Sequence, residues 1–177
     1  MTIHTCRMDT PLGPATVSAK NNAIAGFWFI GQKYYPPKER EWDEDPDYPV
    51  FAHLRQWLDA YFAGKRPSLD FPLEPDGSPF RKAVWDILLA IPYGELTTYG
   101  AISRQMATAM ALPSMSAQAV GGAVGHNPIS LVIPCHRVVG TSGSLTGYAG
   151  GLDKKKALLR LEGIPLPGER GSLLDPA

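Results

Sequence analysis

The chain has 177 residues, 44% of them hydrophobic, with 17 Lys/Arg balanced by 17 Asp/Glu. That is enough apolar material for one domain or two small ones, and a zero net charge alone counts against a nucleic-acid binder. The two cysteines, Cys6 and Cys135, form no CxxC pair or Cys/His ladder, which excludes a disulfide scaffold and a zinc module and points to a reducing compartment. The N-terminus MTIHTCRMDT lacks a signal-peptide pattern, and no apolar stretch is long enough to span a bilayer, so a soluble cytoplasmic protein with no membrane partner is expected. Charge is unevenly spread: residues 1–78 carry 8 Lys/Arg against 11 Asp/Glu, and residues 79–177 carry 9 against 6. A phosphate-bearing partner would prefer the second half.

In chain order, a TPLG turn leads into ATVSA, then Lys-Asn-Asn, then AIAGFWFIG, which predicts an antiparallel hairpin. The acidic stretch EREWDEDPDYP reads as a solvated loop. Phe51, Leu54, Leu58, Tyr61 and Phe62 follow helical spacing, and Gly64 stands where a helix stops. RPSLDFPLEPDGSP has the composition of a linker, which places a domain boundary near residue 78.

Ser78 and Pro79 then suit the cap and first position of a helix whose apolar stripe is Phe80, Val84, Ile87, Leu88 and Ile91. A short helix is expected from Thr98 (TYGAISRQM), then a ten-residue connection, ATAMALPSMS, then a helix capped by Ser116 (AQAVGGAVG). This is the outline of a helix-turn-helix with an unusually long turn. Gly121, Gly122 and Gly125 weaken the second helix by about 0.8–1 kcal/mol each relative to alanine. Either the helix packs very close to another element, or its outer surface must approach something narrow.

Asn127-Pro128 is a turn pair, and ISLVIP reads as a strand running into Cys135, His136 and Arg137. VVGTSGSLTGYAGG, with five glycines around Tyr148, matches neither GxGxxG nor GxxxxGK and is a tight loop. A last helix, LDKKKALLRLEG, has Asp153 as its expected cap and Gly163 as its stop, and residues 168–177 form a tail.

A lone cysteine in an apolar run is commonly an inert small hydrophobe. A neighbouring base or cation can turn it into a nucleophile, and His136 and Arg137 are candidates. On a strand adjacent side chains diverge, so His136 reaches the thiol only if the chain bends, for which Pro134 supplies a reason.

The ordered set VW…IPYGE…TYG…AVGG…NP…PCHRV…GYAGG…LLRLEG closely resembles the O6-alkylguanine-DNA alkyltransferases over residues 79–163. Residues 1–78 are similar to the family's variable first domain only in size and in the TPLG opening. The resemblance implies an α+β fold: a small N-terminal α/β domain (1–78) with an antiparallel sheet, and a mostly helical C-terminal domain (79–167) with a winged-helix-like helix-turn-helix. It implies a DNA repair protein that moves an alkyl group from guanine O6, and from thymine O4, onto Cys135 once per molecule, after the base is flipped out of the duplex. In that scheme His136 is the base that reaches the thiol through a water, and Glu162 orients it. Asn127 braces the turn ahead, although a plain Asn-Pro turn fits its residues equally well. Tyr99 donates to the departing guanine; Val138, Tyr148 and Lys155 line the base pocket; Gln118, Ala119, Gly121, Gly122 and Thr141 meet the DNA, the helix lying in the minor groove. Without the family, Tyr99 and Tyr148 would read as core aromatics. The implied partner is double-stranded DNA with alkylated bases, bound by a monomer without cofactor or metal; His4, Cys6 and His53 make no convincing ligand set.

Two departures stand out. Most members of the family carry an arginine just before AVG, inserted into the base stack, where this chain has Gln118, which brings no cation. The 107–116 connection is also several residues longer than the family's turn. A non-catalytic lesion binder is the alternative function, and relatives of that kind lack the acceptor cysteine. A small-molecule cysteine hydrolase is a third reading, supported only by the Cys-His pair.

Overall fold

The computed structural model describes residues 2–36 and 42–166; the expected tail, 168–177, lies outside them. The chain divides into two compact units, Met1–Asp76 with Pro128–Val132, and Gly77–Asn127 with Ile133–Ala177.

The first unit is a four-stranded sheet and a helix: β1 (Ile3–Thr10), β2 (Gly13–Lys20), β3 (Ala23–Phe29), β4 (Trp42–Glu44) and α1 (Pro49–Phe62), in strand order β3-β2-β1-β4. The β2–β3 hairpin turns at Asn21 and Asn22, with φ of 51° and 53°, the left-handed pair that a two-residue hairpin needs and that asparagine tolerates. Ala15, Val17, Ala19, Phe27 and Phe29 are buried, as are Val50, Phe51, Leu54, Leu58 and Tyr61 of α1. The acidic stretch expected to be only a loop contributes β4, which pairs parallel to β1 in the register Ile3↔Trp42 to Thr5↔Glu44.

Residues 128–132 fall in the second half of the sequence but join this first unit. Phe27 N–H donates to the Pro128 carbonyl (2.8 Å) and Ser130 N–H to the Phe27 carbonyl (3.0 Å). Ser130 Oγ also bonds Gln32 Oε1 at 3.2 Å. The apolar run therefore satisfies its backbone on the edge of β3, an edge that would otherwise be exposed.

The second unit holds α2 (Pro79–Leu89), β5 (Thr97–Thr98), α3 (Tyr99–Ala109), α4 (Ala117–Gly125), β6 (Val138–Val139) and α5 (Leu152–Leu161). Ser78, Thr98 and Ser116 each cap a helix through their side-chain oxygens. Val84, Trp85, Leu88, Ile102, Met106, Val120 and Val124 are its buried core, with Trp85 Nε1 donating to the Ala123 carbonyl at 2.9 Å.

Three sequence expectations are corrected here. Helix α3 runs on to Ala109, so the connection is Met110–Ser116, shorter than the expected ten residues. It stops in a Schellman motif, Ala111 N–H to Thr108 carbonyl and Leu112 N–H to Ala107 carbonyl, with Ala111 at φ 54° where glycine is usual. Helix α5 begins one residue before Asp153; its cap position is Gly151, φ 100°, and Asp153 lies in the first turn. Most consequentially, the expected ISLVIP strand is absent. Its place is taken by tight turns, with Leu131 at φ 71° and short backbone bonds Val132 to Ser130 and Cys135 to Ile133, both 2.8 Å.

Candidate active site

Those turns end in a single 3₁₀ turn, Cys135–Arg137, entered from Pro134 and left through Val138 into β6. The turn resolves the problem posed by adjacent side chains: they are splayed around a helical turn and do not alternate across a strand. β6 pairs parallel with β5, Thr97↔Val138 and Thr98↔Val139, so Tyr99 opens α3 immediately beside the Cys-His-Arg segment.

Cys135 is buried, 5% exposed. Asn127 Nδ2 donates to its Sγ at 3.3 Å and to the Ile133 carbonyl at 2.8 Å. One amide thus holds both the turn and the thiol. Burial pushes the Cys135 thiol up, opposed by the Asn127 bond and by the nearby Lys155 ammonium. At rest the group is a thiol.

His136 is fully buried, with Nε2 2.6 Å from Glu162 Oε2. Burial lowers its pKa, against the pull of Glu162, so the ring is neutral. A neutral ring facing a carboxylate carries its proton on Nε2, which leaves Nδ1 as an acceptor. Nδ1 is buried and has no hydrogen-bond partner among the described residues.

Glu162 collects further donors: Arg137 Nε at 2.8 Å, Arg137 Nη2 at 3.2 Å and the Gly94 N–H at 2.9 Å. Burial alone would raise its carboxyl, but His136, Arg137 and Gly94 outweigh it and hold the pKa at about 2. Arg137, whose Nη1 also bonds the Ile91 carbonyl at 2.8 Å, is therefore committed to Glu162 and the IPYGE turn and is no partner of the thiol. The importance of Gly94 was not apparent from the sequence, because a backbone N–H leaves no residue-type signal.

Lys155 is completely buried, and its Nζ donates to the carbonyls of Val138 (2.7 Å), Thr146 (2.8 Å) and Gly147 (3.2 Å). Burial lowers its pKa to about 8, with Cys135 pulling the other way. The Val138 N–H is also engaged, by the Cys135 carbonyl. Tyr148 sets its ring edge-on to His136, centroids 6.4 Å apart. Tyr99 is half-buried and its phenol is raised by burial, against a bond to Thr146, so it stays a donor.

Cys135, Asn127, His136, Glu162, Lys155, Val138 and Tyr148 thus converge on one place, with Tyr99 beside it. The other predicted residues lie apart from this cluster. Gln118, Ala119 and Gly122 are exposed on α4, Gly121 half so, and Thr141 is exposed on the loop after β6. A Cβ built on Gly121 or Gly122 would meet nothing within 4 Å. The close-packing explanation of these glycines fails; the space they keep free is outside the molecule. Among the described residues no His/Cys/Asp/Glu group could hold a metal, and no helix is long and apolar enough to cross a membrane.

A buried cysteine and a His–Glu pair thus share a unit with a helix-turn-helix whose second helix carries two bare glycines on its outer face. Residues 79–164 match the model of the 6-O-methylguanine DNA methyltransferase, DNA binding domain, and residues 3–75 that of the same protein's ribonuclease-like domain. The chain belongs to this family. The methylated-DNA–protein-cysteine methyltransferase of Mycobacterium tuberculosis is 41% identical over 94% of this chain and 96% of its own. That of Methanosarcina acetivorans is 40% identical over 88% and 95%. The crystal structure of Mycobacterium tuberculosis OGT in complex with DNA matches with a TM-score of 0.80 at 40% identity, covering 97% of this chain and 99% of that one.

Proposed function

We propose that this protein repairs duplex DNA as a cytoplasmic monomer, transferring an alkyl group from O6 of guanine, and from O4 of thymine, irreversibly to Cys135. The observation that carries the reading is the Asn127–Cys135 contact of 3.3 Å beside the 2.6 Å His136–Glu162 pair. A thiol that only filled space would have no use for a neutral, correctly tautomerised base next to it.

The thiol proton passes through a water to His136 Nδ1, and Glu162 stabilises the imidazolium. Lys155 and the Asn127 amide favour the thiolate as it forms. Sulfur attacks the alkyl carbon in line; the S–C bond forms as the C–O6 bond breaks, and the bonding pair stays on O6. Tyr99 hydrogen-bonds the guanine as that charge develops and passes it a proton, which the imidazolium ultimately replaces. The guanine leaves neutral and Cys135 remains a thioether. The glycine face of α4 lets the helix sit deep in the minor groove, where recognition is tolerant of sequence.

The test is mass spectrometry of the Cys135 peptide after incubation with duplex DNA carrying O6-methylguanine. One methyl per protein, and none on Cys6, is expected. Tight binding without an adduct would establish the lesion binder instead, and DNA-independent ester turnover the hydrolase.

A further inference from the structure

From Thr97 to Gly125, which spans β5 and the whole helix-turn-helix, the sequence holds a single Lys, Arg, Asp or Glu, namely Arg104. Arg104 is exposed on α3, and no ion pair or hydrogen bond engages its guanidinium among the described residues. The side chain folds back along the helix: Nη1 lies 3.6 Å from where a Cβ on Gly100 would stand, and the exposed Thr141 places Cγ2 3.4 Å from the same point. Arg104 also edges a groove of about 480 Å³ that includes Gly100, Ser103, Ser114 and Ala117, the neighbour of Gln118 on α4. The groove is thus continuous with the exposed face of α4. Arg137 and Lys155 are both committed to buried acceptors and offer nothing outward.

We propose that Arg104 is the phosphate anchor of this helix-turn-helix, gripping one backbone phosphate of the duplex with the help of Thr141 across the bare Gly100. It supplies the cation that α4, with Gln118 at its start, does not carry. This rests on the alkyltransferase reading. A guanidinium suits the task because its donors form a planar fork matched to phosphate oxygens.

Binding to duplex DNA carrying O6-methylguanine, measured over a series of salt concentrations, tests the assignment. Arg104→Gln should weaken binding several-fold and reduce the slope of log K against log salt by about 0.9, the share of one neutralised phosphate. Arg104→Lys should restore most of the slope. Transfer from the free base O6-benzylguanine, whose activated benzylic carbon needs no duplex, should be unchanged in Arg104→Gln; a loss there would mean a structural role and overturn the proposal. A wild type that binds, with Arg104→Gln keeping its slope, would sink the proposal alone. Failure of the unaltered protein both to bind the duplex and to accept its methyl group would sink the alkyltransferase reading as well.

Discussion

The two cysteines occupy opposite situations in the two units. Cys6 lies on β1, facing α1, with Arg55 Nη2 3.9 Å from its sulfur. Cys135 lies on a 3₁₀ turn with Asn127 on its sulfur. Burial raises both thiols, Cys6 to about 11, even though Cys6 has the more direct cation. A cation close by is therefore not what separates them. The difference lies in the neighbours: Cys135 is followed by a neutral histidine fixed in one tautomer, and that histidine stands on a carboxylate held ionised by three residues, the arrangement proposed above as a proton relay. A regular strand such as β1 sends the residue after the cysteine to the other face, so it cannot offer a base from the next position.

The severest way to break this contrast is Glu162→Gln. It strips Arg137 of its counter-charge and the neutral His136 of its carboxylate acceptor inside the second unit, and losing one partner of a buried ion pair costs about 3–5 kcal/mol. Urea denaturation should register that loss, and single-turnover transfer should slow by at least about tenfold, since the histidine loses its orienting group. Unchanged transfer would show that the relay is not what distinguishes Cys135.

Acid should separate the units next. The Glu162 pKa lies at about 2, below its ordinary 4.5. The stability it contributes is complete above about 4.5 and lost as pH falls toward 2, on the order of 3 kcal/mol. His136, lowered by burial, acts in the same direction from its ordinary 6.5 downward, because the unfolded chain takes up its proton first. Hydrogen exchange at α5 should accelerate on acidification more than exchange at β1 and β2, and Glu162→Gln should flatten the response.

A smaller effect of divided sign is expected of Gly122→Ala. Alanine should stabilise α4 by about 0.8–1 kcal/mol, visible as a raised Tm, while binding to duplex DNA weakens because a methyl now projects from the exposed surface proposed to enter the minor groove. Tighter binding would remove the reason offered for the glycines. Least of all, Cys6→Ala should cost about 1 kcal/mol as a small core truncation and leave the transfer rate untouched.

Much of this was legible in the sequence where one residue type has one physical use. Ser78 and Ser116 marked helix starts, while Asn21-Asn22 marked a hairpin and Gly64 and Gly163 marked helix ends, these four at a left-handed φ. The end of α3 was hidden because Ala111 takes that conformation in glycine's place. The turns from Ser130 to Pro134 were hidden for a different reason: a buried run of Ile, Leu and Val looks the same whether it is extended or coiled, and only pairing with β3 decides. Arg137 read naturally as a thiolate partner because sequence adjacency cannot reveal that its fork is aimed at residue 162. The constellation Cys135, His136, Glu162 came from family resemblance; spacing alone would not have joined residues 26 positions apart.

The five residues Pro128–Val132 carry a last consequence. The first unit is not a segment that can be cut away, because part of its sheet edge is encoded between the helix-turn-helix and the acceptor cysteine. A chain trimmed to begin at Gly77 would keep the apolar Ile129, Leu131 and Val132 while discarding Phe27 of β3, whose backbone answers that of Pro128 and Ser130. Such a fragment would present a sticky, unpaired apolar ribbon a few residues upstream of its reactive sulfur. The architecture is interleaved, and a portable catalytic half of this protein would have to be redesigned at that ribbon before it could stand alone.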